Sequence, residues 1–301
     1  MRMLVTGGTG LVGSNLAREL ARQGHEVIIT GSNASQKFPD FKGKVIHTGF
    51  CGIDWDSLGK IDVLFHQAAI NDTTMTDERE IMRANVDGSK MLFEHVVKHG
   101  CKRIVYASST AIYGHAPAPQ KETSRLEPLN PYAKSKIELE QFAATFQKKH
   151  PAVIIIGLRY CNVYGPGENH KGKRATMIYQ LAQQMQQGNP RIFKDGEHLR
   201  DYIYVKDVVT ANLLAAKATE SCVVNCGSGK SYSFNRVVAI LNTVLGLSRK
   251  PEYIDNPYIG KYQNHTECDM SLAKKKLGFV PVYTLEKGIL DYHASGELIR
   301  R

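Results

Sequence analysis

The architecture predicted by this 301-residue sequence is a doubly wound α/β fold. A parallel sheet is covered by helices on both faces, and a smaller α/β domain is interleaved with it. Three observations carry the prediction. Short apolar runs alternate with segments of helical spacing through the first half. Those runs lack the polar alternation of a half-exposed strand, as strands buried on both faces require. A glycine-rich turn stands between the first strand and the first helix, where such sheets bind phosphates.

Taken in order, Met3–Val5 starts the sheet, and Leu11–Gln23 has helical spacing that stops at Gly24. Glu26–Thr30, Lys44–His47 and Ile61–His66 are predicted strands, and Asp77–His99 is one long predicted helix ending at Gly100. Arg103–Ser108 follows as a strand, Pro131–Lys149 as a helix and Ala152–Leu158 as a strand. The second half is less regular. Helices are predicted over Thr176–Gln187, Lys206–Ala218, Ser233–Leu245, Ser271–Leu277 and Leu285–Ser295, with strands at Tyr202–Val205 and Val223–Asn225. Lys274-Lys275-Lys276 before Gly278 suits a helix C-terminus, where cations meet the dipole. Residues 1–165, with a returning segment at about 200–227, are expected to form the cofactor domain; 166–199 and 228–301 form the substrate domain.

Hydrophobic residues make up 42% of the chain and charged residues 23%, an ordinary globular balance that excludes disordered, collagen-like and mucin-like classes. No apolar run reaches membrane-spanning length, so no membrane partner is expected. Structure is predicted from Met3 onward, which leaves no room for a signal peptide and makes the cytoplasm the expected location. The six cysteines are then reduced thiols. Cys222 and Cys226 have no histidine pair beside them and are read as small buried hydrophobes, so no metal is expected. The net charge of +10 points to an anionic partner. Aromatic–basic repeats of single-strand binders are missing, which makes nucleic acid the less expected partner, while charge alone leaves both nucleic acid and a phosphorylated small molecule open.

The turn Thr6–Gly13 carries glycines at 7, 10 and 13. They permit a tight turn and close approach to a pyrophosphate, while the N–H groups of Gly10, Leu11, Val12 and Gly13 face it from the helix start. An acid at the end of the second strand would bind the ribose 2′-hydroxyl. Gly31 stands there, followed by Ser32, Asn33 and Lys37, which favours a 2′-phosphate and hence NADP over NAD.

Tyr132 and Lys136 are four residues apart, on one face of the predicted helix. A lysine ammonium, together with a nicotinamide cation, would lower the phenol from near 10 towards neutrality, where it acts as a base. Upstream, Tyr106–Gly114 places Ser109 at the C-terminal end of a strand, where these sheets bind ligands.

These motifs, with HQAA (His66–Ala69), Asn85, Leu158–Gly167 and Arg200–Val209, resemble the extended short-chain dehydrogenase/reductases that modify nucleotide sugars. The resemblance implies a Rossmann-type domain and a catalytic trio of Ser109, Tyr132 and Lys136. It implies that Ala68, Ala69, Asn85 and Tyr160 face the cofactor, and that Asn162 and Arg200 contact the nucleotide sugar. Asn169–Lys173, the stretch Asn189–Val205 and Gly260–Gln263 further resemble the ADP-glycero-manno-heptose 6-epimerases of that family. That likeness implies NADP, a second acid/base at Lys171, and His170, Thr73, Thr74 and Tyr262 around the sugar. It also implies a homo-oligomer and a place in lipopolysaccharide or capsule biosynthesis. Gly31 and the segment Gln67–Thr74 depart from that pattern.

Three other readings stay open. A 4,6-dehydratase needs a carboxylate acid and base beside the active hydroxyl, where this chain has Thr110-Ala111-Ile112. A UDP-hexose 4-epimerase shares the trio without needing Lys171. A non-catalytic cofactor-binding or RNA-binding relative would have no use for a low-pKa tyrosine.

Overall fold

The computed structural model describes residues 1–31, 41–47, 52–55, 58–73, 75–256, 263 and 265–299. Strands β1 (Arg2–Thr6), β2 (Glu26–Thr30), β3 (Lys44–Ile46), β4 (Val63–His66), β5 (Arg103–Ser109) and β6 (Ile154–Tyr160) arise in chain order. They are followed by β7 (Asn162–Tyr164), β8 (Arg191–Phe193), β9 (Leu199–Tyr204), β10 (Cys222–Cys226), β11 (Ser231–Ser233) and β12 (Glu252–Ile254). Seven of them form one sheet in the order β10-β6-β5-β4-β1-β2-β3, with every neighbouring pair parallel. The order reverses between β1 and β4, which opens a crevice at their C-terminal ends.

The alternation of side chains explains why the strands read as continuous apolar runs. Met3, Val5, Val27, Ile29, Val63, Phe65, Val105 and Ile156 pack in one buried cluster with Leu16 and Leu20 of α1 (Leu11–Arg22). Leu4, Ile28, Leu64, Ile104, Tyr106 and Ile155 pack on the opposite face, with residues from helices 88–98 and 131–149. Odd and even positions are both buried because both faces are covered.

The long helix after β4 is not uniform. Glu78–Met82 is α-helical, Arg83–Asp87 forms a π turn, and Gly88–Lys98 resumes the α-helix. Single π turns of this kind sit at functional sites, and this one holds Asn85. Strands β7, β8, β11 and β12, each of three residues, are too short for hydrophobic periodicity to reveal.

The returning segment divides between two sheets. Cys222–Cys226 joins the central sheet beside β6, whereas Leu199–Tyr204 pairs with β7 and β11 in a separate three-stranded sheet. Ala273 and Leu277, expected in the substrate domain, pack in the core that covers the α1 face of the central sheet. A distinct core around Tyr164, Ile178, Leu181, Phe234 and Ile289 serves the smaller lobe. Among the described residues no helix is long and apolar enough to cross a membrane.

Beneath the crevice a buried polar chain links β1, β4 and the helix that follows. Thr6 Oγ1 lies 2.7 Å from His66 Nδ1, and His66 Nε2 lies 2.8 Å from Ser89 Oγ. Ser89 donates to the Asn85 carbonyl at 2.6 Å. Burial, with the Lys136 charge, pushes the His66 imidazole down to about 3 from its ordinary 6.5. The folded state therefore refuses a proton that the unfolded chain accepts. The stability tied to the neutral ring is complete above pH 6.5 and is lost as pH falls towards 3, by up to about 1.4 kcal/mol per pH unit. Urea denaturation between pH 7 and 4 measures this slope, and replacing His66 by Asn is expected to flatten it.

Candidate active site

The phosphate-binding turn is shaped by close backbone approaches. Gly7 has φ +66°, and a Cβ there would lie 2.7 Å from the Ala68 nitrogen, so the loop after β4 lies directly against it. A Cβ on Gly13 would lie 2.2 Å from the Gly7 oxygen. Gly10 precedes α1 in an extended conformation and gives it no side-chain cap. The first-turn amides of such a helix have no intrahelical acceptor and suit an anion. The turn lines a cleft of about 430 Å³ together with Ala68, Ala69, Gly31, Tyr132, Lys136 and Tyr160. Among the described lining residues there is no carboxylate. At Gly31 a Cβ would lie 2.4 Å from Thr9 Oγ1, so Thr9 occupies the space in which an acidic side chain would start. This donor set fits a dinucleotide. Ser32, Asn33 and Lys37 lie outside the described residues.

The trio sits where β5 and β6 end. Ser109 is the last residue of β5 and caps a 3₁₀ turn, its Oγ accepting from the Ala111 N–H at 3.2 Å. The helix Pro131–Lys149 starts at Asn130, whose side chain accepts from the Ala133 N–H at 2.9 Å. Tyr132 and Lys136 project from its first turns into the cleft. Lys136 is 2% exposed and donates to the Ala107 carbonyl at 2.8 Å. Its ammonium lies 5.7 Å from the centre of the Tyr132 ring. Desolvation lowers Lys136 to about 8, against the opposing pull of Glu140.

The expected lowering of the phenol counts a nicotinamide cation as well as Lys136, and in the protein by itself the phenol is not lowered. Burial raises the Tyr132 pKa, and the force that opposes the rise is a hydrogen bond with Ser109. The lysine spends its short contact on the Ala107 carbonyl. Deprotonation of the phenol at working pH therefore needs a further positive charge in the cleft.

A second cavity of about 610 Å³ adjoins the first and shares Ser109, Tyr132, Tyr160 and Cys161 with it. Thr73, Asn162 and Arg200 line it as expected, and Thr74 and Tyr262 lie outside the described residues. Asn162 donates to the Asp201 carbonyl at 2.8 Å, and Arg200 donates to the carbonyls of Leu199 and Gln263. Among its described lining residues there is again no carboxylate.

Two placements differ from expectation. Asn85 is 1% exposed and lies behind the cleft. Its amide bonds the backbone of Ile70 in both directions, at 2.8 and 2.9 Å, and reaches Ser135 Oγ at 3.0 Å. It braces the helix that carries Tyr132. His170 and Lys171, expected around the sugar, line the cofactor cleft together with Arg174. Burial and the Arg174 charge lower the Lys171 pKa, and Glu168 opposes them.

Other site residues escaped the sequence reading. Gln67 lines the first cleft, where its Oε1 accepts from the expected Tyr160 hydroxyl at 3.0 Å, and Asn212 holds that hydroxyl at 2.8 Å, a bond across residues far apart in the chain. Cys161 lines both cavities although its sequence context marks it only as a buried thiol. Its sulfur, that of Cys268 and the Asp201 carboxylate all lie within 4.8 Å. Asp201 already accepts from Ser228 N–H and Oγ, Gly229 N–H and Cys268 N–H, which fills its acceptor positions with structural bonds.

The sequence profile of the NAD dependent epimerase/dehydratase family matches residues 3–227. The chain is 32% identical to the ADP-L-glycero-D-manno-heptose-6-epimerase of Brachyspira hyodysenteriae over 96% of each chain. A solved ADP-L-glycero-D-manno-heptose-6-epimerase from Helicobacter pylori superposes with a TM-score of 0.88 at 35% identity, covering 98% of this chain and 95% of that one. The UDP-glucose 4-epimerase of Thermotoga maritima, solved with UDP-glucose, gives a TM-score of 0.90 at 31% identity over 98% and 99%.

The cradle makes one expectation sharp. Gly13→Ala puts a methyl group into the Gly7 backbone, which has no side chain to move aside. Dinucleotide binding, measured by calorimetry, is expected to weaken by at least about tenfold, the equivalent of ~1.4 kcal/mol. Binding within twofold of the parent would show that the turn does not hold the pyrophosphate.

Proposed function

The chain belongs to the NAD dependent epimerase/dehydratase family and is a nucleotide-sugar epimerase; from that premise we propose that it inverts a carbinol centre of an ADP-linked heptose, using NADP and two acid/base residues. The observation that carries the reading is the junction of the two cavities at Ser109 and Tyr132. A dinucleotide held in one cavity and a sugar held in the other meet there. No carboxylate lines that junction among the described residues, so a dehydratase would lack its acid and base.

A bound nicotinamide supplies the acceptor and donor of hydride. Ser109 hydrogen-bonds the sugar oxygen and orients the carbinol. Tyr132 takes the hydroxyl proton as the carbon is oxidised, and the sugar becomes a ketone. Lys136, anchored on Ala107, holds its charge beneath the ring and offers N–H groups to the ribose. Arg200 suits the diphosphate of the nucleotide sugar. The ketone then turns, presents its other face and is reduced. Its oxygen now points elsewhere, and Lys171, whose proton affinity is lowered by burial, returns the proton.

The choice of NADP rests on Gly31. Thr9 fills the space beside it, and no carboxylate stands in the described cleft to repel a 2′-phosphate. A second reading draws on the placement of Lys171 in the cofactor cleft: Tyr132 alone would then serve both faces, as in a 4-epimerase.

Three measurements test these statements. Tyr132→Phe is expected to lower turnover by about 10²–10⁴-fold with unchanged circular dichroism; near-normal turnover would assign the base elsewhere. Calorimetry is expected to give tighter binding for NADP than for NAD, and the reverse order ends the NADP assignment. Lys171→Ala is expected to abolish epimerisation of an ADP-heptose followed by NMR. One half-reaction, followed by nicotinamide absorbance, should survive. Full epimerisation by that variant would leave the single-base reading.

A further inference from the structure

We infer that Glu168 is the positioning residue for Lys171, holding the turn that carries it and supplying the carboxylate that faces it; the inference rests on the two-base reading above. Glu168 is 0% exposed. Its carboxylate accepts from the Thr176 N–H at 2.7 Å, the Thr176 hydroxyl at 3.0 Å and the Gly165 N–H at 3.3 Å. Its own carbonyl accepts from the Lys171 N–H at 2.9 Å. One side chain thus clamps both ends of the segment 165–176, and its backbone starts the 3₁₀ turn Asn169–Arg174 on which Lys171 rides.

The clamp is fastened to its surroundings on two sides. Asn15, in the first turns of α1, donates to the Pro166 carbonyl at 2.8 Å, and Gly167 donates to Glu297 at 2.8 Å. Thr176 caps the next helix, accepting from the Tyr179 N–H. Both ends of the turn are thereby tied to neighbouring elements. A buried carboxylate is costly unless hydrogen-bonded or paired. Glu168 meets the first condition with three hydrogen bonds, and its charge acts on Lys171.

Lys171 faces Glu168, which favours its ammonium, and Arg174, which disfavours it. Glu168 faces Lys171 on its own segment and the Tyr292 phenol from helix Leu285–Ala294. Removing the carboxylate charge leaves burial and Arg174 unopposed, so Lys171 must lose its proton at lower pH.

The test uses the holoenzyme and follows both half-reactions by nicotinamide absorbance across pH. The Lys171-dependent half-reaction is the one that Lys171→Ala removes. In Glu168→Gln its pH midpoint is expected to move down by about half a unit or more, while the Tyr132-dependent half-reaction keeps its rate within twofold. Glu168→Asp keeps the charge on a shorter arm, so the midpoint should stay while the rate falls. An unmoved midpoint in Glu168→Gln overturns the inference and leaves the two-base reading intact. If Lys171→Ala retains both half-reactions, the two-base reading fails and the inference fails with it. Should Glu168→Gln not fold, Glu168→Asp decides. A loss of tenfold or more confined to the Lys171-dependent step supports the inference, and an equal loss in both steps overturns it.

Discussion

The buried pair of Glu140 and Arg159 is the contact on which the catalytic corner depends. Arg159 binds both carboxylate oxygens, at 2.9 and 2.7 Å, and both side chains are more than nine-tenths buried. Such a pair is costly to desolvate and holds only where the remaining donors and acceptors are met. Here they are met. Ser108 donates to Glu140 at 2.5 Å, and Arg159 also donates to the Tyr113 hydroxyl at 2.8 Å and the Glu122 carbonyl at 3.1 Å. Tyr113 passes the chain on to Asn225 of β10 at 2.6 Å. One ion pair thereby locks β5, β6, β10 and the helix of Tyr132 into a single register.

That register decides what reaches the site. Ser108 is opposite Arg159, and Ser109 is opposite Tyr160. Successive residues of a strand face opposite sides, so the first pair turns to the ion pair and the second lines the cavities. A slip of one residue would exchange them and put Arg159 where the sugar carbinol should lie. Glu140 also lies one helical turn beyond Lys136 and raises its proton affinity. The same carboxylate fixes the strands and tunes the ammonium beneath the base.

The sequence revealed what local pattern can encode. Short apolar runs marked β1, β2, β4, β5 and β6, and the glycines at 7, 10 and 13 marked the phosphate turn because only glycine fits there. Tyr132 and Lys136 were legible since a spacing of four puts them on one helical face. The Glu140–Arg159 pair was not, because nineteen residues and a strand crossing separate its members. Neither was the bracing role of Asn85, which depends on a π turn that no periodicity announces. Lys171 was legible by resemblance, but its neighbour Arg174 and its clamp Glu168 follow from a loop whose course is set by tertiary bonds. The hydrogen-bond partner of Lys136 was not legible for a related reason. A spacing shows that two groups are near, and only the structure shows that Lys136 spends its hydrogen bond on Ala107.

The electrostatics of the cleft join these parts. Its described lining contains Lys136, Lys171 and Arg174 and no carboxylate, so its fixed charges share one sign. Burial lowers both lysines, and the repulsion between Lys171 and Arg174 lowers Lys171 further. Burial raises the Tyr132 phenol in the opposite direction. Both shifts act against the ionised forms of Tyr132 and Lys171. An anion seated at the phosphate turn offsets the repulsion at Lys171, and a cation beside Tyr132 offsets the desolvation of its phenolate. A dinucleotide with phosphates at one end and an oxidised ring at the other carries both charges in the required order. The basic cleft thus does more than attract an anion: a ligand of that kind completes the charge balance around Tyr132 and Lys171.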